Sequence, residues 1–450
     1  MATEKKMSLT TKVLIGMGLG IIVGLAINLL GLNAEGSFVN EYVIGFFHIV
    51  GKMFVTGLKM LVVPLVFFSL ITGVLGIGDI RALGKVGGKS FVLYMLTTAI
   101  AIAVGITLAA SLGIGEGVHM SSTASFTAKE APALSSVLFD IIPSNVINAM
   151  ALGKMLQIIF FSILVGISIL MVGKKAEPVV ELIEIGNEIM MKMVNIVMAV
   201  APYAVFALLA KAIANLGLDL LVDLAAYVLV LIAALMIHLF VTLMSILKIF
   251  SGMSPKMFLK KMRETQIFAF STSSSNATIP VTLRAVTDRL GVNNSVASFT
   301  VPFGATINMD GTAIMQGVAT VFIANAYGVD LGITGYLTVI MMSVLASIGT
   351  AGVPGVGLIM LSMVFTQVGL PVEGIGLILG VDRLLDMVRT AVNVSGDAAV
   401  SVIVGKSEGK LDETVYNDPE AGTLTDDDLD IPDDVEHEIA EVIQETHDKA

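Results

Sequence analysis

The chain has no cysteine and no tryptophan, and only 14% of its 450 residues are charged. Without cysteine there can be no disulfide and no thiolate metal site, and redox usage says nothing about the compartment. Without tryptophan, any aromatic belt at a membrane interface must rest on 7 Tyr and 21 Phe. The five histidines (His48, His119, His238, His437 and His447) are scattered, so the sequence presents no His or Cys cluster for a transition metal. Soluble domains carry about 25% charged residues. This deficit is matched by 55% hydrophobic residues and a mean hydropathy of +0.90. Apolar runs long enough to span a bilayer recur, which indicates an all-α polytopic membrane protein. A transmembrane barrel would need short alternating segments, and the sequence has none.

The net charge of −11 is unevenly spread. From Lys406 onward there are 16 acidic and 3 basic residues, so the rest of the chain has a net charge of +2. The acidity belongs to the tail, which gives no reason to expect a nucleic-acid partner. The tail (405–450) is predicted to be disordered, with a short helix possible at 435–446. The apolar run from Val13 to Gly31 is too long for a signal peptide, so it is read as the first transmembrane helix. Basic residues (Lys5, Lys6 and Lys12; Arg81, Lys85 and Lys89; Lys174 and Lys175; Lys256, Lys260, Lys261 and Arg263) fall on one side if both termini are cytoplasmic.

Apolar segments lie at about 13–31, 44–77, 91–114, 150–173, 188–213 and 221–249. Two later stretches, about 258–290 and 336–366, are interrupted at mid-length by Ser271–Pro280 and by Ser347–Gly355. Ser and Asn favour caps, Gly loosens the backbone and Pro removes a donor, so a helix does not run easily through either. Each stretch is too long for one span and too short for two, which suggests a re-entrant hairpin with its tip buried in protein. A long helix is predicted after each, at 295–326 and 374–404. Interrupted segments at corresponding places in two halves point to a transport site at the bilayer midplane.

The last of these helices carries Asp382, Asp386, Arg389, Asn393 and Asp397 at spacings of four, three, four and four. At about 100° per residue they share one face, with Thr390 on its edge. A charge at bilayer depth costs about 2.5–3.5 kcal/mol, so this stripe must face protein, water or a ligand. Arg389 can fork onto a carboxylate and Asp386 can accept an ammonium group. The alternative is an internal Asp386–Arg389 salt bridge. Asp310 and Asp397 have no cationic partner in sequence. With Asn308, Asn393 and nearby hydroxyls and carbonyls they form a hard-oxygen set suited to a monovalent ion, Na⁺ by preference. Otherwise they are hydrogen-bonded structural residues. Ser273–Ser275 would offer hydroxyls and free amides at a helix N-terminus. No base accompanies these serines, so an enzyme is not expected. Lys52 and Lys59 in the second span share a helix face and are expected to snorkel or to touch a partner subunit.

Four motifs, Ser273–Pro280, Asn308–Thr312, Gly349–Gly355 and Asp386–Asp397, together with Met60–Pro64, resemble the dicarboxylate/amino acid:cation symporter family, in order over about residues 10–404. The resemblance implies a sodium-coupled carrier of acidic amino acids, aspartate or glutamate. It would be a homotrimer in the inner (plasma) membrane, with eight transmembrane helices and two re-entrant hairpins per protomer. Residues 1–77 would supply scaffold helices 1 and 2, and 78–114 transport-domain helix 3. Residues 115–220 would form the extracellular loop and scaffold helices 4 and 5. Residues 221–404 would form the transport core, which moves as an elevator, and 405–450 the cytoplasmic tail. Arg389 would bind the side-chain carboxylate and Asp386 the amino group, with Ser273, Ser275, Thr312, Val353, Thr390 and Asn393 completing the substrate shell. One sodium site would use Gly304, Asn308, Asn393 and Asp397. A second would use Thr306, Ser347, Ile348 and Thr350, mostly through carbonyls, and a third Tyr94, Thr97, Thr98, Asn308 and Asp310.

The sequence departs from the family in places. Where many relatives have a second arginine it has Ser273 and Met387, and Arg383, one turn before Met387, is a candidate replacement. Asn276 stands where a smaller or hydroxyl residue is usual. Position 316 is Gln where the animal glutamate carriers have Glu, which argues against proton and potassium coupling. A C4-dicarboxylate symporter is the alternative within the family, and an ion channel the alternative outside it.

Overall fold

The computed structural model describes residues 9–34, 36–75, 80–116, 118, 142–348, 350 and 352–422. Among them the fold is helical, with a single isolated bridge between Val292 and Leu411. The helices are α1 (Leu9–Leu29), α2 (Gly45–Leu75), α3 (Ile80–Ser111), α4 (Val146–Ala151), α5 (Met155–Val172), α6 (Glu177–Ala199) and α7 (Ala201–Leu216). There follow α8 (Leu218–Ile237), α9 (Met244–Ser251), α10 (Pro255–Thr272), α11 (Ser275–Arg284), α12 (Asn294–Ile307) and α13 (Asp310–Ala326). The chain ends in α14 (Gly332–Ser347), α15 (Val356–Gln367), α16 (Ile375–Ser407) and the short α17 (Glu413–Asn417). Among the described residues, five segments are long and apolar enough to cross a membrane: Thr11–Leu29, Val39–Leu75, Lys85–Ser111, Gln157–Ala199 and Leu220–Ser251.

Two packing groups emerge. In the first, α1 runs alongside α7, and α2 packs on α5, α6 and α7. Gly16, Gly20 and Gly24, four residues apart, let the α7 backbone close in: a Cβ at Gly16 would lie 2.3 Å from the Pro202 carbonyl oxygen, and one at Gly20 2.8 Å from that of Phe206. Small residues at this spacing are how helices approach closely in lipid. In the second group, α13 is the central rod. Every residue from Asp310 to Ala324 is buried, as expected for a helix enclosed on all sides. It packs on α3, α8, α14 and α16.

The polar breaks in the sequence become structure. The α10–α11 pair turns at Ser273, whose φ of 52° is the one positive value at a non-glycine residue among those described. The α14–α15 pair turns between Ile348 and Gly355. The helix expected at 295–326 is interrupted: α12 stops at Ile307, Asn308 and Met309 leave helical geometry, and α13 restarts at Asp310. The break is held because Asn393 Oδ1 accepts the freed Gly311 amide at 2.7 Å. The span expected at 188–213 is likewise two helices, α6 and α7, bent at Val200 ahead of Pro202.

The expectation that residues 405–450 are disordered fails for their first part. Residues 408–422 fold as a strap across both ends of the α10–α11 pair. The Tyr416 ring is fully buried and its hydroxyl donates to the Ser254 carbonyl. The Lys261 ammonium, also buried, donates to the carbonyls of Val415 and Arg289 at 2.5 Å each. The amides of Asn293 and Asp412 bond to the carbonyls of Lys410 and Gly291. Lys89 pairs with Glu408, and Lys406 with Glu413. At the N-cap of α17, the Thr414 hydroxyl and the amides of Val415 and Thr414 hold the Asp412 carboxyl below the ordinary carboxylate range. Acidic composition misled here because a single aromatic anchor and a buried amine outweigh it locally. Residues 423–450, with the helix expected at 435–446, lie outside the described residues, as does most of the expected extracellular loop. Tyr416→Ala removes a ring of a size whose loss costs about 3–5 kcal/mol in a core. Amide exchange across 408–418 is expected to rise at least about tenfold, a change needing only about 1.4 kcal/mol, with α13 unaffected. Unchanged exchange would remove Tyr416 as the anchor.

Candidate functional site

The two hairpin tips meet. Ser274 caps α11 by accepting the Ala277 amide at 3.2 Å, and its hydroxyl donates to the Gly352 carbonyl at 2.7 Å. The Asn276 amide donates to the same carbonyl at 3.2 Å. Of the serine run 273–275, expected as a whole to offer hydroxyls, Ser273 and Ser275 were assigned to the substrate shell, and the capping role of Ser274 was not foreseen. The capping signal of a serine three residues before a helical amide could have found it. Ser273 and Ser275 are buried at the turn, and Val353 is half-buried beside Gly352.

Beneath the tips, the stripe on α16 is buried as its spacing predicts: Asp382, Asp386, Arg389, Thr390, Asn393 and Asp397 all face inward. Arg389, 1% exposed, donates from Nη1 to Asp382 Oδ1 at 2.7 Å and from Nη2 to Asp386 Oδ1 at 2.9 Å. The internal salt bridge considered from sequence therefore exists, with Asp382 as its stronger arm. Yet Arg389 Nε and Asp386 Oδ2 are buried without a hydrogen-bond partner among the described residues. Arg383 Nη1 comes within 3.6 Å of that Oδ2, so the second arginine sought from sequence does reach this carboxylate. Thr312 stands opposite, and a Cβ on Gly357 would lie 3.1 Å from Thr312 Cγ2 and 3.7 Å from Arg389 Nη2. Gly357, in the first turn of α15, thus lets that helix start close to the guanidinium. Thr390 donates to the Asp386 carbonyl.

Deeper along α16, the break at Asn308 gathers oxygens. Asn308 Nδ2 donates to Asp397 Oδ1 at 2.9 Å and lies 3.5 Å from the Asn393 carbonyl. Gly304 leaves the space: a Cβ there would stand 2.5 Å from Asp397 Oδ1 and 2.8 Å from Tyr94 Oη. On the other side of Asn308, Asp310 Oδ1 accepts from Thr98 at 2.6 Å and lies 3.4 Å from Thr97 Oγ1, which is also 3.4 Å from Asn308 Oδ1. Tyr94, whose hydroxyl donates to the Thr300 carbonyl, closes this cluster. Asn308 therefore joins two of the expected cation sets into one network. Two buried carboxylates with hydroxyls, amides and carbonyls are a donor set that fits a hard monovalent cation. No group of three or more His, Cys, Asp and Glu forms among the described residues.

In the remaining set the hydroxyls are already committed. The hydroxyls of Thr306, Ser347 and Thr350 each donate to a carbonyl in the preceding turn. Ile348, at the end of α14, packs against α2 near Gly73. Two charges that stand alone in the sequence find partners in the fold. Asp310 does have a nitrogen partner, since His238 Nε2 is 3.0 Å from its Oδ2. Lys59 pairs with Glu373 at 3.4 Å. Gln316 is buried with its Oε1 unpartnered.

Comparison with known proteins matches residues 9–407 to the model of the sodium:dicarboxylate symporter family. The proton/sodium-glutamate symport protein of Bacillus caldotenax is 34% identical over 418 residues, covering 91% of this chain and 96% of the relative. The proton/glutamate-aspartate symporter of Escherichia coli (strain K12) is 35% identical over 90% of this chain and 94% of its own length. The C4-dicarboxylate transport protein of Bacillus subtilis (strain 168) is 31% identical over 90% of this chain and 95% of its own. With its apolar helices and two hairpin tips meeting over a buried charged stripe, the chain is a multi-pass membrane transporter, not an enzyme, and belongs to the sodium:dicarboxylate symporter family.

Proposed function

We propose that the protein is a secondary symporter that takes up an acidic amino acid, aspartate or glutamate, with sodium across the inner membrane. The observation that carries this reading is the pairing of opposite charges under one lid. Arg389 and Asp386 are adjacent and buried, and each has one polar atom without a hydrogen bond. A guanidinium engages the substrate's side-chain carboxylate by a bidentate, charge-assisted contact. Asp386 Oδ2 accepts from the ammonium group. Substrate then exchanges with Asp382 and Asp386 for the guanidinium, so the resting ion pairs keep the arginine from being buried alone. Ser273, Ser275, Thr312, Val353, Thr390 and Asn393 complete the shell. One sodium ion is held by Gly304, Asn308, Asn393 and Asp397, and another by Tyr94, Thr97, Thr98, Asn308 and Asp310. A further sodium requires rearrangement of Thr306, Ser347, Ile348 and Thr350 as the tip closes. Sodium charge beside Asp397 and Asp310 offsets the cost of two buried carboxylates.

Movement follows an elevator scheme. Within eight spans and two re-entrant hairpins, α1, α2 and α5–α7 (within 1–77 and 115–220) form the scaffold of a homotrimer. Helix α3 (within 78–114) and α8–α16 (221–404) carry the cargo. The seam between the groups supports this: Gly376 and Gly380 on α16 meet the side chains of Leu208 and Leu209, and Gly355 meets Met198. Glycine against flexible apolar side chains gives a face with few directional bonds to break on sliding. With both termini cytoplasmic, Ile348 beside Gly73, near the Leu75 end of α2, corresponds to cargo lowered toward the cytoplasm.

Uptake of labelled aspartate, glutamate and succinate into proteoliposomes under sodium, proton or no gradient tests the reading. Aspartate accumulation that needs a sodium gradient supports it, and gradient-independent flux indicates a channel instead. Arg389→Cys is expected to abolish aspartate uptake; unchanged uptake removes the anchor. Asp386→Asn weakens a charge-assisted hydrogen bond of about 1.5–3 kcal/mol. Aspartate affinity should therefore fall about 10- to 100-fold while succinate, which has no ammonium, changes little. Equal loss for both would favour a C4-dicarboxylate carrier.

A further inference from the structure

We infer that His238 is a positioning residue for the Asp310 carboxylate, setting the sodium affinity of the cradle formed with Tyr94, Thr97, Thr98 and Asn308. The inference rests on the cation reading of that cradle given above. His238 begins a π-helical turn, His238–Leu243, set between the α-helices α8 and α9. A π turn inserts one extra residue into the helical repeat, and such turns occur often at functional sites. The inserted residue alters the rotational phase of the helix there, and His238 lies fully buried against Asp310, 72 residues away in sequence.

The two carboxylate oxygens of Asp310 have different partners. Oδ2 is 3.0 Å from His238 Nε2, whereas Oδ1 takes the Thr98 hydroxyl at 2.6 Å and faces Thr97 at 3.4 Å. In the cation cradle read above, where the Asp310 carboxylate serves as a ligand, Nε2 is the donor of this bond. Nδ1 has no partner among the described residues, so the ring acts on the site through this one bond. The terminal torsion of an aspartate is broad and roughly two-fold. Fixing Oδ2 from outside therefore fixes where Oδ1 points, toward Thr97, Thr98 and Asn308. Partners behind a ligating carboxylate act in this way at metal sites, and losing one typically costs 10–100-fold in affinity.

The test uses purified full-length protein without substrate and follows thermal unfolding as sodium replaces choline. Wild type is expected to gain stability with a measurable half-saturating sodium concentration. His238→Ala should raise that concentration about 10- to 100-fold. His238→Gln, whose side-chain NH₂ can donate from nearly the position of Nε2, should recover most of the difference. A His238→Ala half-saturation within twofold of wild type overturns the positioning role and leaves the cradle standing. Equal shifts in Ala and Gln variants also overturn it, because packing alone would then explain the effect. A wild type indifferent to sodium overturns the cradle, and this role with it.

Discussion

The architecture turns on the side chain of Asn308. Its amide nitrogen donates to Asp397 while its oxygen faces Thr97, beside Asp310. Two carboxylates, each 1% exposed or less, are thereby held at one point within a helical membrane protein. Buried carboxylates are tolerated where hydrogen bonds or an opposite charge answer them, and here the hydrogen bonds come from Asn308 and Thr98. A continuous helix could not turn Asn308 and Asp310 into this arrangement, so the break at Asn308–Met309 is a requirement of the site. The freed Gly311 amide is in turn taken by Asn393, which makes α16 part of the same network.

The neighbouring arginine follows the same rule. Arg389 is nearly sealed from solvent, yet it is kept between Asp382 and Asp386. Under the proposed function these pairs are a holding state for a guanidinium that the substrate engages, since buried ion pairs add little net stability by themselves. The hairpin tips above are joined by Ser274 and Gly352 through hydrogen bonds that can be exchanged. The strap through Tyr416, by contrast, ties the base of the α10–α11 pair with buried anchors. One helix pair is thus bound at its base, while the other meets Arg389 through glycine.

Much of this was legible in the sequence. The stripe from Asp382 to Asp397 was readable because helical periodicity converts spacing directly into a shared face. The two helix breaks, at Ser273 and between Ile348 and Gly355, were readable because Ser, Asn, Gly and Pro interrupt a helix in apolar surroundings. Less was legible where local composition and long-range packing disagree. The strap reads as an acidic coil, yet Tyr416 and Lys261, 155 residues apart, bury one another's segment. The His238–Asp310 contact left no trace in spacing, since it joins two helices through a π turn that no residue pattern announces. The network around Thr306, Ser347 and Thr350 also illustrates a limit: hydroxyls near a helix end satisfy themselves on the preceding turn unless something else draws them away.

The sequence alone determined that this is a helical membrane protein with two broken segments and a charged face on its last long helix, because hydropathy and periodicity are local properties. Tertiary structure decided which oxygen meets which nitrogen. Asn308 spans two carboxylates, Arg389 turns first to Asp382, and His238 stands behind Asp310. Those choices depend on how helices distant in the chain are docked. Docking is set by close approach at glycines and by the need to satisfy each buried polar atom, neither of which can be read from one segment at a time.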